Sequence, residues 1–325
     1  MRRTIGILAA AATALAISAC GDDEGTSSAV EPRAAQPRSV VHAMGTSRIT
    51  GTPEHVVVLD TGELDSTVAL GVKPAGAVEP IAGAGFPAYL ADAVKGVEIV
   101  GTIEQPNLEA IAALKPDLIL SSKLRHEAIY DQLSRIAPTV FTEEVGVAWK
   151  KNFALHARAL GKPDDARRLQ TEYETKASEL GDELGDKRDR TAVSVVRSVG
   201  DEVRIYEKVN FLGTILEDVG LPRPKAQDDE EFSTTATEER IPDLDGDVMF
   251  LSRFGDDHRL LGRLQNNRLW SQLRVVRAKR IYDVPDDLWF LGIGNLAAHR
   301  ILDGLRTILA DGRRLPGDDG NPATA

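Results

Sequence analysis

The chain has 325 residues, 42% of them apolar, enough for two domains that each bury a core. Fifty acidic residues against 39 basic ones leave a formal charge of −11 with no basic tract, which excludes nucleic acid as a partner. A single cysteine excludes a fold stapled by internal disulfides. Residues 1–19 place Arg2 and Arg3 ahead of the almost wholly apolar run 5–17. This is the pattern of a secretory signal peptide, too short to hold a bilayer as a stable span. Residues 20–39 are rich in Gly, Ser, Ala, Pro and Asp and read as a flexible spacer; the similar stretch 312–325 reads as a disordered tail.

Between these ends the sequence alternates. In residues 40–162, strands are expected at 55–60, 74–78, 97–100, 117–122 and 139–141. Helices are expected at 63–70, 108–114, 127–136 and 149–160. Short strand–helix–strand units imply a parallel sheet with helices on both faces. Residues 163–187 form the centre of the chain. Ala166, Leu169, Tyr173, Ala177, Leu180 and Leu184 recur at spacings of three and four among polar residues, the stripe of an amphipathic helix about 30 Å long. Pro163 starts it, and Gly185 ends it. Residues 188–311 repeat the first scheme, with strands at 191–196, 203–206, 248–252 and 280–284 and helices at 211–219, 269–273 and 296–310. The two halves also echo each other in sequence. Residues 107–122 and 237–252 both run from a capping residue to a Glu (Glu109, Glu239), an Asp (Asp117, Asp247), an apolar run and a Ser (Ser121, Ser252). The fold expected is α/β: two Rossmann-like lobes with parallel sheets, joined by one long helix, with a ligand cleft between them.

Ligands in open parallel sheets sit beyond the carboxyl ends of the strands. Arg125, Arg197 and Arg253 all fall at or just after such ends, with Phe254 beside the last. Trp289 follows the strand at 280–284, and Tyr89 lies in the Gly- and Pro-rich loop 82–90. Guanidinium groups suit carboxylate and other oxygen-rich surfaces, and aromatic faces suit a bulky, partly apolar ligand. Each arginine alone also fits a surface ion pair, and Trp289 fits a core anchor. Trp149 is a candidate for ligand contact or for packing between helix and lobe. None of the six histidines joins a ligand cluster, so no bound metal or other cofactor is expected.

The stretch Ile17-Ser18-Ala19-Cys20 resembles a bacterial lipobox, in which the cysteine becomes the acylated first residue of the mature chain. Together with Leu70-Gly-Val-Lys-Pro74, residues 107–122, 125–141, 220–227, 239–251, 269–273 and 280–298, it resembles the substrate-binding lipoproteins of bacterial ABC importers for ferric siderophores. The block at 125–141 and Arg240-Ile-Pro-Asp-Leu-Asp-Gly-Asp247 resemble the branch that takes hydroxamate or citrate-type complexes. The resemblance implies capture of a ferric siderophore outside the cell by Arg125, Arg197, Arg253, Tyr89, Trp149, Phe254 and Trp289. It also implies delivery to an ABC permease that Glu109 and Glu239 dock onto, and a monomer tethered to the cytoplasmic membrane through lipid on Cys20. Pro242 departs from the first copy, so the helix after Glu239 must be very short or begin at that proline.

Binding of cobalamin, haem or another iron complex is the near alternative. A secreted hydrolase is remote. There is no Gly-x-Ser-x-Gly elbow, and His126-Glu-Ala-Ile-Tyr130 has Tyr where a zinc motif has its second His. No catalytic residue is expected.

Overall fold

The computed structural model describes residues 37–318. The signal peptide, Cys20, most of the spacer and the last residues of the tail lie outside them. The described chain opens with an antiparallel hairpin, β1 (Arg38–His42) and β2 (Gly45–Ile49), whose first two residues fall within the expected spacer. It lies against the edge of the first lobe, where Ala43 N donates to Phe141 O and Ser47 Oγ to Thr139 O. An exposed sheet edge is thereby covered.

The first lobe contains β3 (Val56–Val58), α1 (Thr61–Ala69), β4 (Gly76–Glu79), β5 (Glu98–Thr102), α2 (Leu108–Ala113), β6 (Leu118–Ser122), α3 (Lys123–His126), α4 (Tyr130–Ile136) and β7 (Thr139–Thr142). Its strands stand in the order β5-β4-β3-β6-β7, all parallel. The unbroken apolar runs of β3 and β6 are buried on both faces, as a doubly covered parallel sheet requires.

Helices α5 (Trp149–Leu160) and α6 (Pro163–Leu184) follow, separated by Gly161 in a left-handed conformation. The stripe on α6 is divided between two cores. Ala166 and Leu169 pack with the first lobe, whereas Tyr173, Ala177, Leu180 and Leu184 pack with the second. One amphipathic face thus holds both lobes at a fixed spacing. Gly181 lets α6 approach the next helix closely, since a Cβ there would stand 2.7 Å from Val219 O.

The second lobe contains β8 (Val193–Val199), β9 (Glu202–Tyr206), α7 (Phe211–Val219), β10 (Ser233–Thr235), β11 (Val248–Phe254), α8 (Arg259–Asn266), α9 (Arg274–Arg277), β12 (Ile281–Asp283), α10 (Asp286–Trp289) and α11 (Asn295–Leu305). Its sheet, ordered β10-β9-β8-β11-β12, is not a strict copy of the first. Strands β8, β11 and β12 are parallel, but β9 and β10 run antiparallel to their neighbours. Two residues, Gly200 and Asp201, turn β8 into β9, and Gly200 takes a positive φ there.

The lobes also meet directly. Asp65 on α1 accepts from the amides of Leu296 and Ala297 and so caps α11 across the interface, while Tyr89 OH donates to the same carboxylate at 2.9 Å. Burial pushes Asp65 up to about 6, and these three donors hold it from rising further. The described residues form one compact unit that contains all four hydrophobic clusters.

Candidate functional site

A cavity of about 370 Å³ lies between the lobes at the carboxyl ends of the strands. Asp60, Thr61, Leu124, Arg125 and the segment 145–147 line it from the first lobe. Arg197, Arg204, Tyr206, Phe232, Trp289 and Phe290 are among the residues facing it from the second. Asp60 follows β3 and Arg125 follows β6, whereas Arg197 and Arg204 stand within β8 and β9.

Three guanidinium groups therefore converge, each with its own carboxylate. Arg125 Nε donates to Asp60 Oδ2 at 2.9 Å, where the Arg125 side chain is 39% exposed and that of Asp60 only 1%. Arg204 Nε donates to Glu202 Oε2 at 2.9 Å. Neither Arg125 nor Arg204 commits its terminal nitrogens to these ion pairs. Arg197 is different. Its Nε and Nη2 grip Asp286 bidentately at 2.7 and 2.6 Å, and its Nη1 donates to Tyr206 OH at 3.2 Å. Phe254 and Phe290 cover its faces at 4.9 and 5.2 Å. Arg197 and Arg204 face each other directly in the β8–β9 register. Like charges so placed repel, and an oxygen-rich ligand between them relieves that repulsion.

The short helix α3, which carries Arg125, is braced by His126. Its Nδ1 pairs with Ser121 Oγ at 2.7 Å and its Nε2 with Ile103 O at 2.7 Å, and burial holds its pKa below the ordinary imidazole value. His126 thus positions its neighbour instead of ligating metal. Among the described residues, no three His, Cys, Asp or Glu side chains gather into a set that could hold a metal ion.

The other residues singled out by the sequence are placed as follows. Trp289 is 1% exposed: it lines the cavity while packing against Phe250 in the core. Phe254 lies behind Arg197. Arg253, one position later than Ser252 on β11, pairs with Asp283 and does not line the cavity. Tyr89 sits at the lobe interface on Asp65. Trp149 lies in the second lobe's core, edge-on to Tyr173 and Phe211, and its Nε1 donates to Thr214 Oγ1 at 3.0 Å. Glu109 is exposed at the start of α2, capped by Asn107, and Glu239 is exposed on the 3-10 turn Glu238–Leu244, which contains Pro242. Sequence reading missed Arg204, Tyr206, Phe232 and Leu124. The last two are 51% and 63% exposed and form apolar lips on opposite sides of the cavity.

The profile of the periplasmic binding protein family matches residues 56–288, most of the chain. The chain belongs to this family. The probable siderophore-binding lipoprotein YfiY of Bacillus subtilis is 39% identical over 306 residues, covering 90% of this chain and 94% of that protein. The achromobactin-binding periplasmic protein of Dickeya dadantii is 32% identical over 267 residues, covering 79% and 86%. Among solved structures, Staphylococcus aureus SirA complexed with staphyloferrin B superimposes with a TM-score of 0.75 at 34% identity, covering 83% of this chain and 97% of that one. The first two are named as binding proteins, and the SirA superposition shows the same two-lobed fold.

Proposed function

We propose that the chain captures a ferric siderophore of hydroxamate or citrate type outside the cytoplasm and passes it to an ABC permease. The observation that carries this reading is the convergence of Arg125, Arg197 and Arg204 from both lobes on one cavity with aromatic walls. A siderophore saturates its iron, so the protein meets a shell of oxygens and organic linkers. Guanidinium and aromatic groups recognise that shell without ligating the metal. The names of the relatives agree with it. Arg197, locked by Asp286, is the fixed anchor; Arg125 and Arg204 offer their terminal nitrogens to ligand oxygens. Closure is modest, because α6 is a single rod and Asp65 already ties α1 to α11.

Delivery assigns Glu109 and Glu239 to the permease and Cys20 to a lipid anchor on the cytoplasmic membrane, with the protein acting as a monomer and catalysing nothing. Tryptophan fluorescence titrated with ferric and metal-free siderophores tests the reading, since Trp289 lines the cavity. A saturable change with a ferric hydroxamate or citrate complex is expected; no change with any ferric complex overturns it.

A further inference from the structure

The base of the second lobe, opposite the cleft, carries a feature that ligand capture does not use. The turn Gly185–Arg190 after α6 and the start of β12 meet there around an open concavity of about 610 Å³. Lys187, Arg190, Lys279 and Arg280 line it, with Asp186 as the one carboxylate among the described residues that do so. Several arginines nearby are matched by carboxylates. Close by, Arg188 is held by Asp189, Arg313 by Asp311 and Arg314 by Asp318. None of the four lining cations has a carboxylate within ion-pair distance among the described residues. Lys279 moreover has φ 55, a left-handed backbone that glycine adopts freely and lysine only with strain. A long cation stands where the backbone favours glycine.

We propose that this concave basic face rests on anionic phospholipid headgroups. Four unmatched cations around one hollow complement a phosphate-lined surface, and each such residue near a charged bilayer adds about fivefold to affinity. Strand β1 starts at this same level of the molecule. Arg38 donates to the carbonyls of Arg158 and Ala159 at the carboxyl end of α5, the end turned away from the cleft. From Cys20 to Arg38 the chain reaches at most about 60 Å, so an acyl chain on Cys20 keeps this face within touch of the bilayer. The proposal rests in part on that lipid-anchor reading. Seated this way, the protein holds its cleft outward to receive ligand, and it must leave the surface to present Glu109 and Glu239 to a permease.

The test uses the chain from Gly21 onward, without Cys20, so that its outcome is independent of acylation. Co-sedimentation is measured with vesicles of phosphatidylglycerol and phosphatidylcholine in equal parts and with phosphatidylcholine alone. Binding to the anionic vesicles only is expected, weakening as salt is raised. The combined variant Lys187→Gln, Arg190→Gln, Lys279→Gln, Arg280→Gln is expected to bind roughly 100-fold more weakly or worse while titrating with ligand as the parent does. Equal binding by that variant, or no preference for anionic vesicles in the parent, overturns the proposal. So does displacement by inorganic phosphate beyond a chloride control of matched ionic strength, which assigns the hollow to a free anion. Failure here leaves the anchor untouched, because that is read separately from the mass of the N-terminal peptide of protein made in its host.

Discussion

The two lobes start from similar sequence and reach the cavity by different routes. In the first, every strand is parallel, so each βα unit can offer a side chain only where its strand ends. Asp60 and Arg125 arrive that way, one from β3 and one from β6. In the second, the Gly200-Asp201 turn folds β9 back along β8 and sets Arg197 and Arg204 side by side. A parallel sheet delivers single groups; a hairpin delivers a pair. The second lobe accordingly supplies two guanidinium groups and most of the aromatic wall, and the first supplies one exposed arginine on the short helix α3, which His126 braces.

The sharpest way to break this contrast is Arg197→Ala. It leaves Asp286 without its bidentate partner where both side chains are 9% exposed. Removing one member of a buried pair destabilises by about 3–5 kcal/mol, so a fall in Tm of many degrees is expected in calorimetry, along with lost ligand binding. A near-normal Tm would mean that Arg197 is a ligand-reading group and not an anchor. Arg125→Ala, on the single-group side, should spare the fold more. The expected result is ligand binding weakened tenfold or more, about 1.5–3 kcal/mol for a charge-assisted contact, read by fluorescence titration.

Some of this contrast was legible in the sequence and some was not. The linking helix and the alternation of the first lobe follow from periodicity, and Arg125 falls just after a strand as expected, whereas Arg197 lies within β8, which runs on to Val199. Arg204 is hidden when residues 203–206 are read as another parallel strand, although Gly200-Asp201 between two alternating runs is a two-residue hairpin signal. Phe232 follows an acidic run that reads as solvent-facing loop; only β10 pairing with β9 brings it to the cavity. Arg253 shows the limit of a strand-end argument. Successive residues on a strand point to opposite faces, and Ser252, not Arg253, is the one that bonds Asp286 beside the cavity. Tyr89 and Trp149 depend on partners distant in sequence, Asp65 and the Tyr173–Phe211 cluster, which no local pattern foretells.

A third prediction concerns the floor beneath Arg125. Glu63 and His156 are buried against each other, with Glu63 Oε1 3.7 Å from His156 Nε2. Burial, with Asp60 nearby, pushes Glu63 up to about 8, and burial pushes His156 down to about 3. The folded pair therefore carries one proton from about pH 3 to pH 8. Unfolded, the two hold two protons below about 4.5, one up to about 6.5 and none above. Stability rises with pH from 3 to 4.5, is level to 6.5, and falls by about 2 kcal/mol between 6.5 and 8, where the folded state binds more protons. Glu63→Gln should abolish that last fall. A Tm decline from pH 6.5 to 8 that persists in the variant would show that the proton is held elsewhere.

The smallest expected effect on stability separates the two arginines of the hairpin. Arg204 and Glu202 are 36% and 46% exposed, so their ion pair is screened by water and adds little, about 0–1 kcal/mol. Arg204→Gln also removes the like charge opposite Arg197, which offsets part of that loss. Its Tm should stay within a few degrees of the parent. Ligand affinity should nevertheless fall severalfold, because the terminal nitrogens of Arg204 are outside the Glu202 pair and Gln cannot replace a bidentate charge-assisted contact. If calorimetry and titration moved together for Arg204→Gln as for Arg197→Ala, the hairpin would be one structural unit. If only the titration moved, β8 would supply the anchor and β9 the group that reads the ligand, a division that the all-parallel first lobe has no second strand to make.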